Sequence, residues 1–270
     1  MFQNKLIIFN AILVSSIPTL LISGPFLSDL AITITGITIF FFIIFNKQYK
    51  YILNTYSYVF FIFCIYLISS SLLSDYIFLS LEASLFYFRF GLFSIAIWYL
   101  LDNYANFKLY FFYGLLFAFF VLLADAYFQY FFDYNSLGWL RHNDRLSSFF
   151  GKEYVMGSFF SRLFPLLVAL FLINFSNNKK IIFVSFIMLI LIDIIIFLSG
   201  ERVAFLNITL CTILIILFFN KFKLLRFLTF LISIIIIIFI SLNDQSIKLR
   251  MIDRTYQDLF ENENKLVSKS

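Results

Sequence analysis

Arg145, Arg162 and Arg202, with Glu201 beside the last of them, are the residues of this chain best suited to chemistry. A guanidinium is planar and permanently charged, and its forked N–H groups match phosphate oxygens two at a time. Arg145 opens the run Arg145-Leu146-Ser147-Ser148-Phe149-Phe150-Gly151-Lys152-Glu153, which leads through Gly157 and Ser158 into an apolar stretch bearing Arg162 and Pro165. Small residues at a helix entrance let backbone amides approach an anion, and the helix dipole favours negative charge there. Arg202 closes Ser199-Gly200-Glu201-Arg202, a tight link between two apolar runs. Ser-Gly alone would turn such a hairpin, so the Glu-Arg pair has another purpose: Glu201 either positions Arg202 or acts as a base. Lys152 is a further cation for an anionic ligand. His142, the only histidine, is a candidate acid/base group in the loop before Arg145. Arg141, in the same loop, is assigned to lipid-headgroup contact. The pattern is one of binding and neutralising a phosphate or diphosphate, and no Walker-type loop, Gly-rich nucleotide loop or metal-ligand cluster accompanies it.

The elements that must position these groups are membrane helices. The chain has 270 residues, 62% of them hydrophobic and only 13% charged, with a mean hydropathy of +0.96. A soluble domain could not hide so much apolar surface, so lipid is part of its solvent. Apolar runs at 5–23, 26–45, 51–73, 79–100, 107–131, 154–175, 180–199, 203–219 and 223–242 predict about nine transmembrane helices, each near the ~20 residues a bilayer needs. The fold class is therefore all-α, a polytopic integral membrane protein, with a helical domain over 1–242 and a polar segment over 243–270. The first run follows Lys5 but lacks a small-x-small cleavage site, so it reads as a helix rather than a signal peptide. Phe occurs 42 times, mostly as lipid-facing filler, so aromatics alone mark no site. Cys64 and Cys211 fall inside predicted spans and indicate no disulfide framework. A net charge of +5 spread over short loops makes no nucleic-acid patch.

Topology follows from the basic residues. Lys5, Lys47, Lys50, Lys108, Lys179, Lys180, Lys221, Lys223 and Arg226 border one side of the spans, whereas Arg141, Arg145, Arg162 and Arg202 border the other. Cytoplasmic loops collect positive charge. The lysine side is therefore cytoplasmic, with the N-terminus, and the arginines face outward. Four of the charged residues within the spans stand out. Glu82 and Arg89, two helical turns apart, would share one face of the fourth helix and be neutralised by each other or by partners on other helices. Asp125 and Asp193 would either line an outward-facing aqueous cavity or serve as structural hydrogen-bond acceptors.

Two of these stretches resemble a known family. Arg-x-x-Ser-Phe-Phe-Gly-x-Glu (145–153), running on into Ser-Arg-Leu-Phe-Pro (161–165), is similar to part of the O-antigen ligase family, as is Leu-Ser-Gly-Glu-Arg-Val-Ala-Phe (198–205). That family groups ligases and polymerases of bacterial surface polysaccharides, lipopolysaccharide among them. The resemblance implies a helical fold like that of the lipid-linked-sugar (GT-C-like) glycosyltransferases in the bacterial inner membrane. It implies glycan transfer from undecaprenyl diphosphate to a lipid A-core or saccharide acceptor on the periplasmic face, with no cofactor and no metal. By position, Arg145 and Arg202 match the family arginines that hold the diphosphate, with Arg162 a third. The family continues into a large periplasmic loop carrying a histidine, then further spans. This chain stops at Ser270, which implies a truncated or split product, and His142 does not take that histidine's place.

Three alternatives stay open beside the ligase: a polymerase of the same superfamily, a lipid-linked-sugar flippase or other transporter, and an inactive fragment. A transporter would carry charge deep in several helices, often with repeat symmetry. The sequence instead concentrates charge at one interface, which favours the enzyme.

Overall fold

The computed structural model describes residues 2–141, 145–175, 179–220, 222–253 and 256–257. Its helices are α1 (Phe2–Ile22), α2 (Pro25–Phe45), α3 (Thr55–Leu72), α4 (Ile77–Leu85), α5 (Phe88–Asn103), α6 (Phe107–Phe132), α7 (Met156–Phe175), α8 (Lys179–Leu198), α9 (Arg202–Phe218) and α10 (Lys223–Asn243). A short α11 (Gln245–Lys248) follows and runs into a wide π turn over Leu249–Asp253. Among the described residues there is no strand, only an isolated antiparallel bridge between Tyr134 and Leu140.

Seven segments are long and apolar enough to cross a membrane: Asn4–Ile22, Pro25–Phe45, Thr55–Leu72, Ile77–Asn103, Phe107–Phe132, Met156–Phe175 and Lys223–Asn243. Two further apolar helices, α8 and α9, are seen over Val184–Leu198 and Arg202–Phe218 among the residues described in full. The chain is thus a multi-pass helical membrane protein.

The chain packs as two units, residues 1–115 and 116–270, with the boundary inside α6. In the first unit α2 lies between α1 and α5, and α3 packs on α4. Its core joins Ala11, Val14, Ile39, Ile43, Tyr51, Ala96, Tyr99 and Leu100. Local chemistry starts these helices in the usual ways. Pro25 occupies the first turn of α2, where no intrahelical N–H is needed, and the Asn54 side chain accepts from the Ser57 amide at 3.0 Å to cap α3. The fourth apolar run is not one helix. It breaks at Phe86–Tyr87, where the Tyr87, Arg89 and Phe90 amides bond three residues back instead of four. Glu82 and Arg89 consequently lie on separate helices. Arg89 pairs with Asp29 of α2, Nη2 to Oδ2 at 2.8 Å, which is the interhelical of the two neutralisations the sequence left open.

In the second unit α7, α8, α9 and α10 pack pairwise around a buried ion pair. The Arg226 side chain is 1% exposed and Asp193 fully buried. They join through two parallel bonds, Nη1 to Oδ2 at 2.9 Å and Nη2 to Oδ1 at 2.8 Å. Thr212 Oγ1 accepts from Arg226 Nε at 3.0 Å, and Ser233 Oγ donates to Asp193 Oδ2 at 3.0 Å. The Phe164 ring stacks on the guanidinium at 4.8 Å. A charge this deep is tolerable only when paired and fully hydrogen-bonded. Asp193 is therefore the structural acceptor of the two roles the sequence left open, tying α8 to α9 and α10. Arg226, grouped by sequence with the interfacial lysines, is its partner.

Candidate functional site

The segment between α6 and α7 turns inward. Leu146, Ser147 and Ser148 are buried, and irregular backbone at such a place needs partners from the protein. α6 supplies them. Gln129 Oε1 accepts from the Ser147 and Ser148 amides at 3.0 and 2.8 Å. Asp125 Oδ1 accepts from the Ser136 amide at 2.8 Å, and its other oxygen accepts from the Ser148 hydroxyl. Asn135 donates to the Ser148 carbonyl at 3.0 Å. Asp125 is thus a loop anchor rather than a cavity-lining acid. The loop it fixes delivers Arg145 to the end of the α8–α9 hairpin, where Arg145 Nη2 donates to the Gly200 carbonyl at 3.1 Å. The Arg145 guanidinium also lies over the Tyr154 ring at 4.2 Å.

The hairpin tip is shaped by two glycines. Gly200 has a φ of +72°, a conformation that side chains rarely adopt. Gly157, at the start of α7, has no room for a Cβ: one would sit 2.4 Å from Ser199 Oγ and 3.0 Å from Glu201 Oε1. That closeness lets Glu201 cap α7. Its Oε1 accepts from the Gly157 amide at 2.6 Å, and its Oε2 from the Ser158 amide at 2.9 Å and the Ser158 hydroxyl at 2.6 Å. A carboxylate on the first amides of a helix satisfies orphan donors and meets the positive end of the dipole. Both oxygens of the residue read from sequence as a positioning group or base are engaged in this cap.

Arginines gather around the tip. Arg145, Arg202 and Arg250 line one cavity of about 400 Å³ together with Ser158, Gly200, Glu201 and Val203. Arg202 opens α9, where the helix dipole disfavours a cation. The Arg145 Nε is buried and has no hydrogen-bond partner among the described residues. Three guanidinium groups border one space, and the one carboxylate lining it among the described residues, Glu201, bonds to α7; forked donors so gathered suit an anion rich in oxygen acceptors.

Of the residues singled out from sequence, Arg145, Arg202 and Glu201 meet at this cavity. Arg162 and Lys152 do not line it: both side chains are exposed, Arg162 on α7 and Lys152 just before it. His142 lies outside the described residues. Arg141 is not a free headgroup contact. Its side chain is 12% exposed and faces the Asp133 carboxylate at 3.8 Å, while its amide donates to the Asp133 carbonyl at 2.7 Å. Arg250 was missed, because the polar stretch after α10 offers no periodicity or motif to single out one cation among its charges.

A larger cavity, about 610 Å³, lies in the first unit between α3, α4 and α5. Phe60, Cys64, Ile65, Leu92 and Trp98 are among its walls, and no charged side chain is among its lining residues. Polar chemistry belongs to the arginine cavity.

Compared with protein-family models, with characterised proteins and with solved structures, the chain matches none.

Proposed function

We propose that the arginine cavity binds the diphosphate of a polyprenyl-linked glycan, and that the chain carries the donor side of an O-antigen ligase-like transfer. The observation that carries this reading is the convergence of Arg145, Arg202 and Arg250 on one cavity in a multi-pass membrane protein. A donor whose lipid lies in the bilayer presents its diphosphate at the end of the helices, where a hairpin tip such as 199–201 is found. In the reaction an acceptor hydroxyl replaces the diphosphate at the sugar's anomeric carbon. The anomeric C–O bond breaks with its electron pair leaving on the diphosphate, and the products are the new glycoside, undecaprenyl diphosphate and a proton. Fixed guanidinium groups lower the barrier by stabilising charge as it develops on the leaving oxygen. Glu201 supports this indirectly, since its cap holds α7 against the tip with both carboxylate oxygens on α7 donors.

The likeness of 145–153, 161–165 and 198–205 to the O-antigen ligase family supports the same donor. A polymerase would use the same cavity with a saccharide acceptor. The transporter reading loses weight because the deep charges, Asp193 and Arg226, are locked to each other and do not line the arginine cavity. On this account the protein resides in a bacterial inner membrane with the arginine face periplasmic.

The test is release of undecaprenyl diphosphate by the chain in proteoliposomes supplied with undecaprenyl-diphosphate-linked glycan and a lipid A-core or saccharide acceptor. Release that depends on both Arg145 and Arg202 supports the reading. Movement of the intact donor across the bilayer with no release would assign the site to transport instead.

A further inference from the structure

The larger cavity, in the first unit, has the layout of a lipid site. Its walls follow α3 from Asn54 to Ile68, ~20 Å of helix. That length exceeds one leaflet of a ~30 Å hydrocarbon core. The volume of about 610 Å³ is that of a cavity able to enclose a small ligand. Phe61, Ile65 and Phe88 line the cavity and are also exposed, so in a membrane span it opens sideways to hydrocarbon. Ser84 and Ser94, also in its walls, turn their hydroxyls to carbonyls of their own helices.

The two ends differ. At one, the walls are Ile68, Leu85 and Phe88; at the other they are Asn54, Ser57 and Trp98, and a tryptophan suits the border between hydrocarbon and headgroups. Lys50 stands beside this second end. Its ammonium lies 4.6 Å from the centre of the Tyr51 ring, and that ring meets Trp98 edge-on at 5.4 Å. Lys47 and Lys50 are both exposed there. An apolar trough with ammonium groups at one mouth complements an amphiphile with a long chain and an anionic head. We propose that this cavity holds an acyl chain of an anionic phospholipid from the leaflet on the lysine side, with the phosphate at Lys50. The site is separate from the arginine cavity and does not depend on the donor reading.

The experiment titrates the purified full chain in detergent with phosphatidylglycerol and with phosphatidylcholine, and counts retained lipids by native mass spectrometry. Wild type retains one phosphatidylglycerol in preference to phosphatidylcholine. Lys50→Gln, an exposed change that leaves the packing alone, lowers phosphatidylglycerol retention about fivefold, the worth of one basic residue beside an anionic surface, and leaves phosphatidylcholine unchanged. Cys64→Trp, which fills the cavity from a buried wall position, lowers retention of both. Equal retention of the two lipids by wild type overturns the proposal, as does a Lys50→Gln variant that holds phosphatidylglycerol as well as wild type does. Displacement of phosphatidylglycerol by an equal concentration of undecaprenyl phosphate would give the cavity to a carrier chain instead. A lipid-free dimer that Cys64→Trp abolishes would make it a contact between copies of the chain, and would equally overturn the proposal.

Discussion

Glu201 Oε1 accepts from the Gly157 amide at 2.6 Å, so the acid adjacent to Arg202 in sequence is committed to the start of α7. Glu201 lines the arginine cavity, yet both of its oxygens are taken up by α7 donors, so its side chain is a structural cap at the hairpin tip.

Replacing Glu201 with Gln therefore tests the cap separately from the cavity. The amide keeps one acceptor oxygen but turns an NH2 toward the Ser158 donors. We expect a loss of about 1–3 kcal/mol of stability, the usual cost of leaving a buried donor unsatisfied. The unfolding midpoint in detergent would fall, while anionic probes would still bind. An unchanged midpoint would show that the cap contributes little.

The Asp193–Arg226 pair makes an opposite kind of prediction. Removing one partner strands a buried charge, so Asp193→Asn or Arg226→Met alone should destabilise by about 3–5 kcal/mol. Replacing both with apolar residues of similar volume should recover much of that loss, because the desolvation of both ions disappears as well. Thermal unfolding of the two single variants and the double variant checks this. Additive losses would mean the two side chains are not coupled as their 2.8 Å contact requires.

The placement of the arginines predicts which substitutions matter. Arg202→Lys keeps the charge but loses the fork, and should reduce glycan transfer roughly 30- to 1,000-fold, equivalent to ~2–4 kcal/mol in the transition state. Arg162→Ala and Lys152→Ala, whose side chains are exposed and do not line the cavity, should leave transfer within about twofold. Initial rates of undecaprenyl diphosphate release separate the two groups. A large effect of Arg162→Ala with a silent Arg202→Lys would move the site onto the exposed face of α7.

The parts of this arrangement that were legible in sequence share a physical cause. Arg145 and Arg202 stand at borders between apolar runs, where a charge is conspicuous and its membrane depth can be read from hydropathy. The hairpin between α8 and α9 was visible for the same reason. The break between α4 and α5 was not, since Phe86 and Tyr87 are apolar and neither Pro nor Gly marks it. For Arg89 the sequence left open a partner on its own helix or on another; that the partner is Asp29 of α2 is a long-range choice that periodicity does not encode. Asp193 and Arg226 likewise meet only after α8, α9 and α10 pack. Arg250 is the instructive miss: its role depends on a turn after α10 folding back onto Gly200, and no local pattern reports that contact.

The most direct test of the arginine cavity is an experimental structure of the chain in lipid with farnesyl diphosphate bound. The account predicts diphosphate oxygens about 2.7–2.9 Å from guanidinium nitrogens of both Arg145 and Arg202, with Glu201 still on the Gly157 and Ser158 amides. A diphosphate held by Arg162 and Lys152, with none of its oxygens within reach of Arg145 or Arg202, would contradict it.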